Sequence, residues 1–350
     1  MFERLEGERK PAVRRFPSRR CILNGLLLLM AASVSGGRAN SIARSGEAPE
    51  ARALAYLARE VPRWSRDNRC FSCHNNGDAT RAILAAKADR SLPPEILAET
   101  LAFLSQPDRW EKNGVDAAFS DKRLARIQFA SALSAAVKAG RIEGEGALRL
   151  AADLVAKDQD GDGSWSIDES VPVGSPATYG PPLATAMAIG VLQKDGLSRH
   201  GEVIDQAKKW MRARPLLNMN DAASLMMALM DEPPSDRALR DGAMDLLRRG
   251  QNPDGGWGPF ARSASEPFDT ALALIALKTS PNSPELEGRI SRGRAYLIAN
   301  QAADGSWRET TRPAGGESYA QRLSTAGWAT IALLATRPPG PIKATAPAGP

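Results

Sequence analysis

The sequence predicts an all-α protein, a ring of about six helix hairpins with inner and outer helices, and three observations carry the prediction. A seven-residue turn recurs as QDGDGSW at 159–165, QNPDGGW at 251–257 and QAADGSW at 301–307. Trp64, Trp110, Trp165, Trp210, Trp257 and Trp307 follow one another at intervals of 46, 55, 45, 47 and 50 residues. Two kinds of helix flank the turns. In ALRLAADLVAK, Leu148, Ala151, Ala152 and Val155 make one apolar stripe at helical spacing. The stretches Leu225–Met230, Ala271–Leu277 and Ala329–Ala335 are apolar nearly all round, so they must be buried on every side. Striped helices outside and fully apolar helices inside satisfy both demands.

Taken in chain order, residues 1–39 read as an export signal. A basic stretch ends at Ser18-Arg19-Arg20, an apolar run follows from Cys21 to Val34, and small residues close it at 37–39. The run is short for a membrane span, and no span is expected once it is removed. The string SRRCILN fits a twin-arginine signal, and a long basic start fits ordinary secretion; both stay open. The mature chain is expected outside the cytoplasm, periplasmic or secreted. Residues 1–39 hold eight of the 46 Lys and Arg and three of the 40 Asp and Glu, leaving 38 against 37 for the rest. That balance removes the support for nucleic-acid binding. Residues 40–49 read as a linker and 50–336 as the repeat domain. The Pro- and Gly-rich stretch 337–350 reads as a disordered tail.

Each helix before a turn ends at an Asp-Gly pair, because glycine accepts the left-handed backbone that terminates helices. Weaker forms of the turn are QPDRW at 106–110, Trp64 after an apolar helix, and QAKKW at 206–210. These turns resemble the QW repeats of the squalene–hopene cyclase and protein prenyltransferase superfamily, over roughly residues 50–336. The resemblance implies an α/α toroid in which Gln159 with Trp165, Gln251 with Trp257, and Gln301 with Trp307 tie neighbouring outer helices together. A scaffold does not by itself fix a function.

Residues 70–74, CFSCH, hold both cysteines that follow the signal segment and one of two histidines in the chain. CxxCH is the spelling of c-type haem attachment: Cys70 and Cys73 would form the thioethers and His74 would reach the iron. His200 or a methionine among Met211, Met219, Met226, Met227 and Met230 is the candidate opposite ligand. A disulfide across so small a loop would stabilise little, and zinc would lack a full ligand set. On this reading the protein carries electrons to a redox partner or binds a small apolar ligand. Residues 158–169 also fit the spacing of a calcium loop, with Asp158, Asp160 and Asp162 at alternate positions, Gly163 at the turn and Glu169 last. Trp165 and the Pro-rich segment beyond Glu169 depart from that pattern.

An isoprenoid cyclase is the alternative enzyme. The cyclase resemblance implies an Asp-rich DxDD acid, and the nearest match here is PFDTA at 267–271, where Asp269 alone survives of the acidic cluster. The tryptophans are largely spent on turns, so the interior is expected to be poor in aromatics. Asp269 as acid, Asp269 as a helix cap, and a scaffold with an inert CxxCH all remain open on the sequence.

Overall fold

The computed structural model describes residues 47–86, 94–113, 121–167, 173–195, 197–230, 234–310, 312 and 318–338. The signal segment 1–39, most of the linker, Glu169 and the tail from 339 onward lie outside them. Among the described residues twelve α-helices alternate between two rings. The outer set is α1 (Pro49–Asn68), α3 (Ala98–Leu104), α5 (Gly146–Lys157), α7 (Leu197–Ala213), α9 (Arg237–Gly250) and α11 (Pro284–Ala299). The inner set is α2 (Thr80–Ala85) with the π-helix Cys73–Ala79 before it, α4 (Lys122–Lys138), α6 (Gly180–Asp195), α8 (Met219–Ala228), α10 (Pro267–Leu277) and α12 (Tyr319–Ala335). Each inner helix packs on the next, and α12 returns to the π-helix and α2, which closes the ring. The fold is an α/α toroid, as the hairpin pattern predicts. Among the described residues no helix is long and apolar enough to cross a membrane.

Burial follows the sequence pattern. On α5 the buried residues are Leu148, Ala151, Ala152 and Val155, the predicted stripe. Helix α10 is buried at nine of its eleven positions. The three strong turns repeat one geometry. Each glutamine amide donates to the carbonyl four residues on, at Gly163, Gly255 and Gly305 (3.0, 2.9 and 3.1 Å). The same amide donates to the next outer helix, at Val203, Arg289 and Pro49 (2.8, 2.9 and 2.9 Å). Each indole N–H donates back to the carbonyl ten residues earlier, at Val155, Leu247 and Leu297. The glutamine therefore ties neighbouring outer helices, whereas the tryptophan pins the end of its own helix.

The turn glycines have φ of 96°, 89° and 92°, a region side chains avoid. A Cβ on Gly163 or Gly255 would also stand 2.5 Å from the carbonyl oxygen of Gln206 or Arg292 on the neighbouring outer helix. The third turn docks on α1, so a repeat near the end of the chain holds its beginning. Arg294 adds to this closure, pairing with Glu50 at 2.7 Å and donating to the Leu333 carbonyl. The weaker turns differ. Trp110 Nε1 reaches a carbonyl only seven residues back, Trp64 stacks on Tyr319, and Trp210 lies under Arg214.

Candidate functional site

The ring interior carries two polar centres with aromatic faces between them. The first is built on the π-helix Cys73–Ala79, an uncommon turn that is frequent at functional sites. Ser72 caps it, its Oγ accepting from the His74 and Asn75 amides. The wide turn buries Asn75, Asn76 and Asp78 completely or nearly so. Asp78 accepts from the Tyr179 hydroxyl, from Gln128 Nε2 at 2.8 Å and from Ser324 Oγ at 2.8 Å. Three donors from three separate segments thus converge on one carboxylate.

Because Ser324 gives its proton to Asp78, it accepts from His74 Nδ1 at 2.9 Å, and this assigns the imidazole tautomer. Burial holds the His74 pKa below its usual value, with Asp78 opposing, so the ring is neutral at pH 7. Burial also pushes the Cys73 thiol up to about 12, with Asp78 adding to the effect. The Tyr179 hydroxyl lies well above its usual pKa, first from burial and then from Asp78. Arg81 stands 3.8 Å from Asp78 and lies over the face of Trp328, 4.1 Å from the ring centroid.

The second centre is at the start of α10. Asp269 is fully buried and pairs with Arg312 at 3.2 Å. Glu266, three residues earlier, reaches the same guanidinium at 3.5 Å and lies within hydrogen-bonding reach of Asp269. Burial raises Asp269 to about 7, Arg312 pulling it down and Glu266 pushing it up. A second carboxyl group beside a buried one disfavours its ionisation, so Asp269 retains its proton up to about pH 7. Between the centres, Trp328 meets Tyr179 and Phe268 edge to face, at 5.6 and 6.1 Å between centroids. The guanidinium of Arg312 lies 6.0 Å from the Phe268 ring.

The expected haem site falls within the first centre, but its residues are arranged otherwise. Iron ligation needs two thiols and an open imidazole on one face, with room for a porphyrin. Cys73 instead packs against the apolar core, and His74 is committed to Ser324 in the contact of the π-helix with α12. In this arrangement both side chains are engaged with the protein itself.

The cation loop fares similarly. Asp158 accepts from Arg126, Asp160 from Arg123 at 2.8 and 3.0 Å, and Asp162 from the Ser164 amide and hydroxyl. Arginines hold the first two carboxylates, and among the described residues no three acidic, histidine or cysteine side chains converge. His200, a candidate opposite ligand, is buried on the kinked outer helix α7 with Asp195 at 3.1 Å from Nε2. Met211, Met219 and Met226 are core residues.

Sequence reasoning missed the richest part of the interior. Trp328 lies outside the near-regular tryptophan series and supplies an interior aromatic, so the interior is less poor in aromatics than expected. Asp78, Arg81, Tyr179 and Ser324 carried no motif. Glu266 was readable: it stands where an Asp-x-x-Asp pair would begin, with Glu in place of Asp.

Fold and site together define an α/α toroid with a polar, aromatic-lined interior. Residues 221–324 match the family model described as the squalene-hopene cyclase C-terminal domain, a stretch that contains most of α8, all of α10, and Glu266, Asp269, Arg312 and Ser324. An 85-residue segment is 36% identical to drimenyl diphosphate synthase of Streptomyces showdoensis, covering 24% of this chain and 16% of that protein. The chain thus aligns with a small fraction of this curated relative's length. Among solved structures, the type II terpene cyclase MstE from Scytonema superimposes with TM-score 0.53 at 14% identity, over 82% of this chain and 96% of that one. A protein from Actinoplanes superimposes with TM-score 0.51 at 18% identity, over 82% of this chain and 99% of that one. At these identities the structural likeness concerns the fold.

Proposed function

We propose that this chain is a terpene-cyclase-like enzyme that starts reaction by protonating an alkene inside the ring, with Asp269 as the acid. The observation that carries the reading is the fully buried Asp269, held on Arg312 beside the partly exposed Glu266, which keeps a proton up to about pH 7. The family match over 221–324 supports it, because it spans this acid and inner helices on both sides of it. So does the fold shared with MstE, which was solved with geranylgeranyl dihydroxybenzoate as substrate.

The chemistry balances within the substrate. The Asp269 O–H proton forms a new C–H bond at one alkene carbon, and the π electrons of that alkene are consumed. The resulting tertiary cation is attacked by a second alkene, which closes a ring. Loss of a proton from the last cation restores neutrality, so product and substrate are isomers. Arg312 stabilises the carboxylate left behind. The aromatic rings of Phe268, Trp328 and Tyr179 attract the cation.

The test is incubation of purified protein with linear polyprenyl substrates of about 15 to 20 carbons, followed by mass-spectrometric search for cyclic isomers. Cyclic products from the wild type, and a yield from Asp269→Asn lower by a factor on the order of 10²–10⁴, are expected. Undiminished turnover in Asp269→Asn would remove this role. The CxxCH spelling favours a second reading, covalent haem on Cys70, Cys73 and His74. Intact mass of exported protein, produced in a host able to attach haem, distinguishes the two: the bare polypeptide is expected, and one added haem would replace the cyclase reading.

A further inference from the structure

Arg81 is the cation at the centre of the ring, and its hydrogen-bonding capacity is largely unused. Its nearest anion, Asp78, has both carboxylate oxygens occupied, one by the Tyr179 hydroxyl and the other by Gln128 and Ser324. At 3.8 Å the Arg81–Asp78 contact is an ion pair without a hydrogen bond. One guanidinium nitrogen reaches the Met187 sulfur at 3.3 Å, a weak acceptor. The other two, Nε and Nη2, are buried and have no hydrogen-bond partner.

The residue beneath this cation repeats the pattern. Trp328 is 2% exposed, and its indole N–H, a donor only, is buried without an acceptor. One helical turn earlier on α12, Thr325 is fully buried and its hydroxyl is also unpartnered. A folded chain leaves few such groups, and several on adjacent elements in one region point to a missing acceptor. The guanidinium and the indole N–H are both donors, so that acceptor must offer oxygen lone pairs, and the fixed positive charge selects an anion. The aromatic faces on either side of Trp328 provide for apolar material next to it.

We infer that Arg81 and the Trp328 N–H, with Thr325 beside them, hold the oxyanion head group of the ligand, a carboxylate or a phosphate at the end of an apolar chain. This rests on the cyclase reading for the chain but not for the anion. It divides the interior into an acid end at Asp269 and a head-group end at Arg81, with Trp328 contributing to both. Asp78 then has a definite role, because its three neutral donors hold it in place beside the guanidinium of Arg81 and so position that side chain.

Calorimetric titration of the full chain with farnesol, farnesoic acid and farnesyl diphosphate tests the assignment. At least one of the two anions is expected to bind about tenfold or more tightly than the alcohol, and which one does so tells carboxylate from phosphate. Arg81→Gln should bring the anions down to the affinity of the alcohol. Trp328→Phe keeps an aromatic face and deletes the N–H, so it should weaken the anions and spare the alcohol, and it decides the matter should Arg81→Gln fail to fold. Equal binding of all three compounds overturns the inference, as does an undiminished anion preference in a folded Trp328→Phe. Asp269→Asn separates the two proposals, since it should lose turnover and retain the anion preference. Preference without turnover in the wild type removes the cyclase reading alone, and turnover without preference removes this one alone.

Discussion

At the scale of the residue, the decisive quantity is the proton on Asp269. Burial raises this carboxyl from 3.8 to about 7 against the pull of Arg312, so in the folded protein it is protonated below about pH 7 and ionised above. If it is the acid, turnover should be level at lower pH and fall about tenfold per unit above its pKa. Rates measured from about pH 5 to 9 would show this, and a rate that rises through pH 7 would exclude it. Replacement by Asn should reduce turnover by a factor on the order of 10²–10⁴. The same proton acts on stability. Between 3.8 and about 7 the folded chain binds a proton here that the unfolded chain has released, so this residue's contribution to stability declines as pH rises through that window. Denaturant titrations of wild type and Asp269→Asn should differ in that direction. A difference of the opposite sign would mean that Arg312 holds the group ionised.

At the scale of the element, the turns show what a local pattern can specify. Gln, Gly and Trp stand in one seven-residue window, and each makes a fixed contribution there. The glutamine is a two-way amide donor, the glycine supplies the left-handed backbone, and the indole N–H returns to its own helix. That is why the hairpins, their order and the ring could be read from the sequence. Gly255→Ala should destabilise by more than about 1 kcal/mol, because the backbone is strained for alanine and the methyl group meets the Arg292 carbonyl. Gly161, in the same turn as Gly163 but with nothing near its Cβ position, should tolerate alanine. Thermal melts of the two variants give the comparison. The interior site was legible only at Glu266 and Asp269 and in the spelling around His74. Its other members meet through contacts 101 residues apart for Tyr179 with Asp78 and 246 apart for Ser324 with Asp78. No window of sequence contains such a pair. The CxxCH spelling has the same limit: it fixes spacing along the chain, while the surroundings of Cys73 and the partner of His74 come from distant segments packed around them.

At the scale of the whole molecule, a ring of repeats is only as firm as the junction between its last and first members. Here that junction joins segments that lie far apart in the chain. Gln301 donates to Pro49, Gly305 lies against the Arg52 carbonyl, and Arg294 pairs with Glu50. Burial alone would raise the Glu50 pKa, but the hydrogen bonds and charges of Arg294 and Arg337 bring it below the ordinary value, so the pair is ionised and stabilising at neutral pH. Removing one partner of a buried pair costs about 3–5 kcal/mol when the other charge is left uncompensated, and Arg337, 3.7 Å from Glu50, should hold the loss here to the lower end of that range. Arg294→Met should therefore destabilise strongly, and Glu50→Gln combined with it should recover part of the loss. The junction holds α1 and α12, and α12 carries Ser324 and Trp328. Loosening it should thus disturb the interior before the rest of the ring unfolds. Hydrogen exchange of Arg294→Met should show early loss of protection in α1 and α12, with α6 and α8 opening only at the main transition. Uniform loss around the ring would mean that the toroid unfolds as one unit and that its closure has no separate influence on the site.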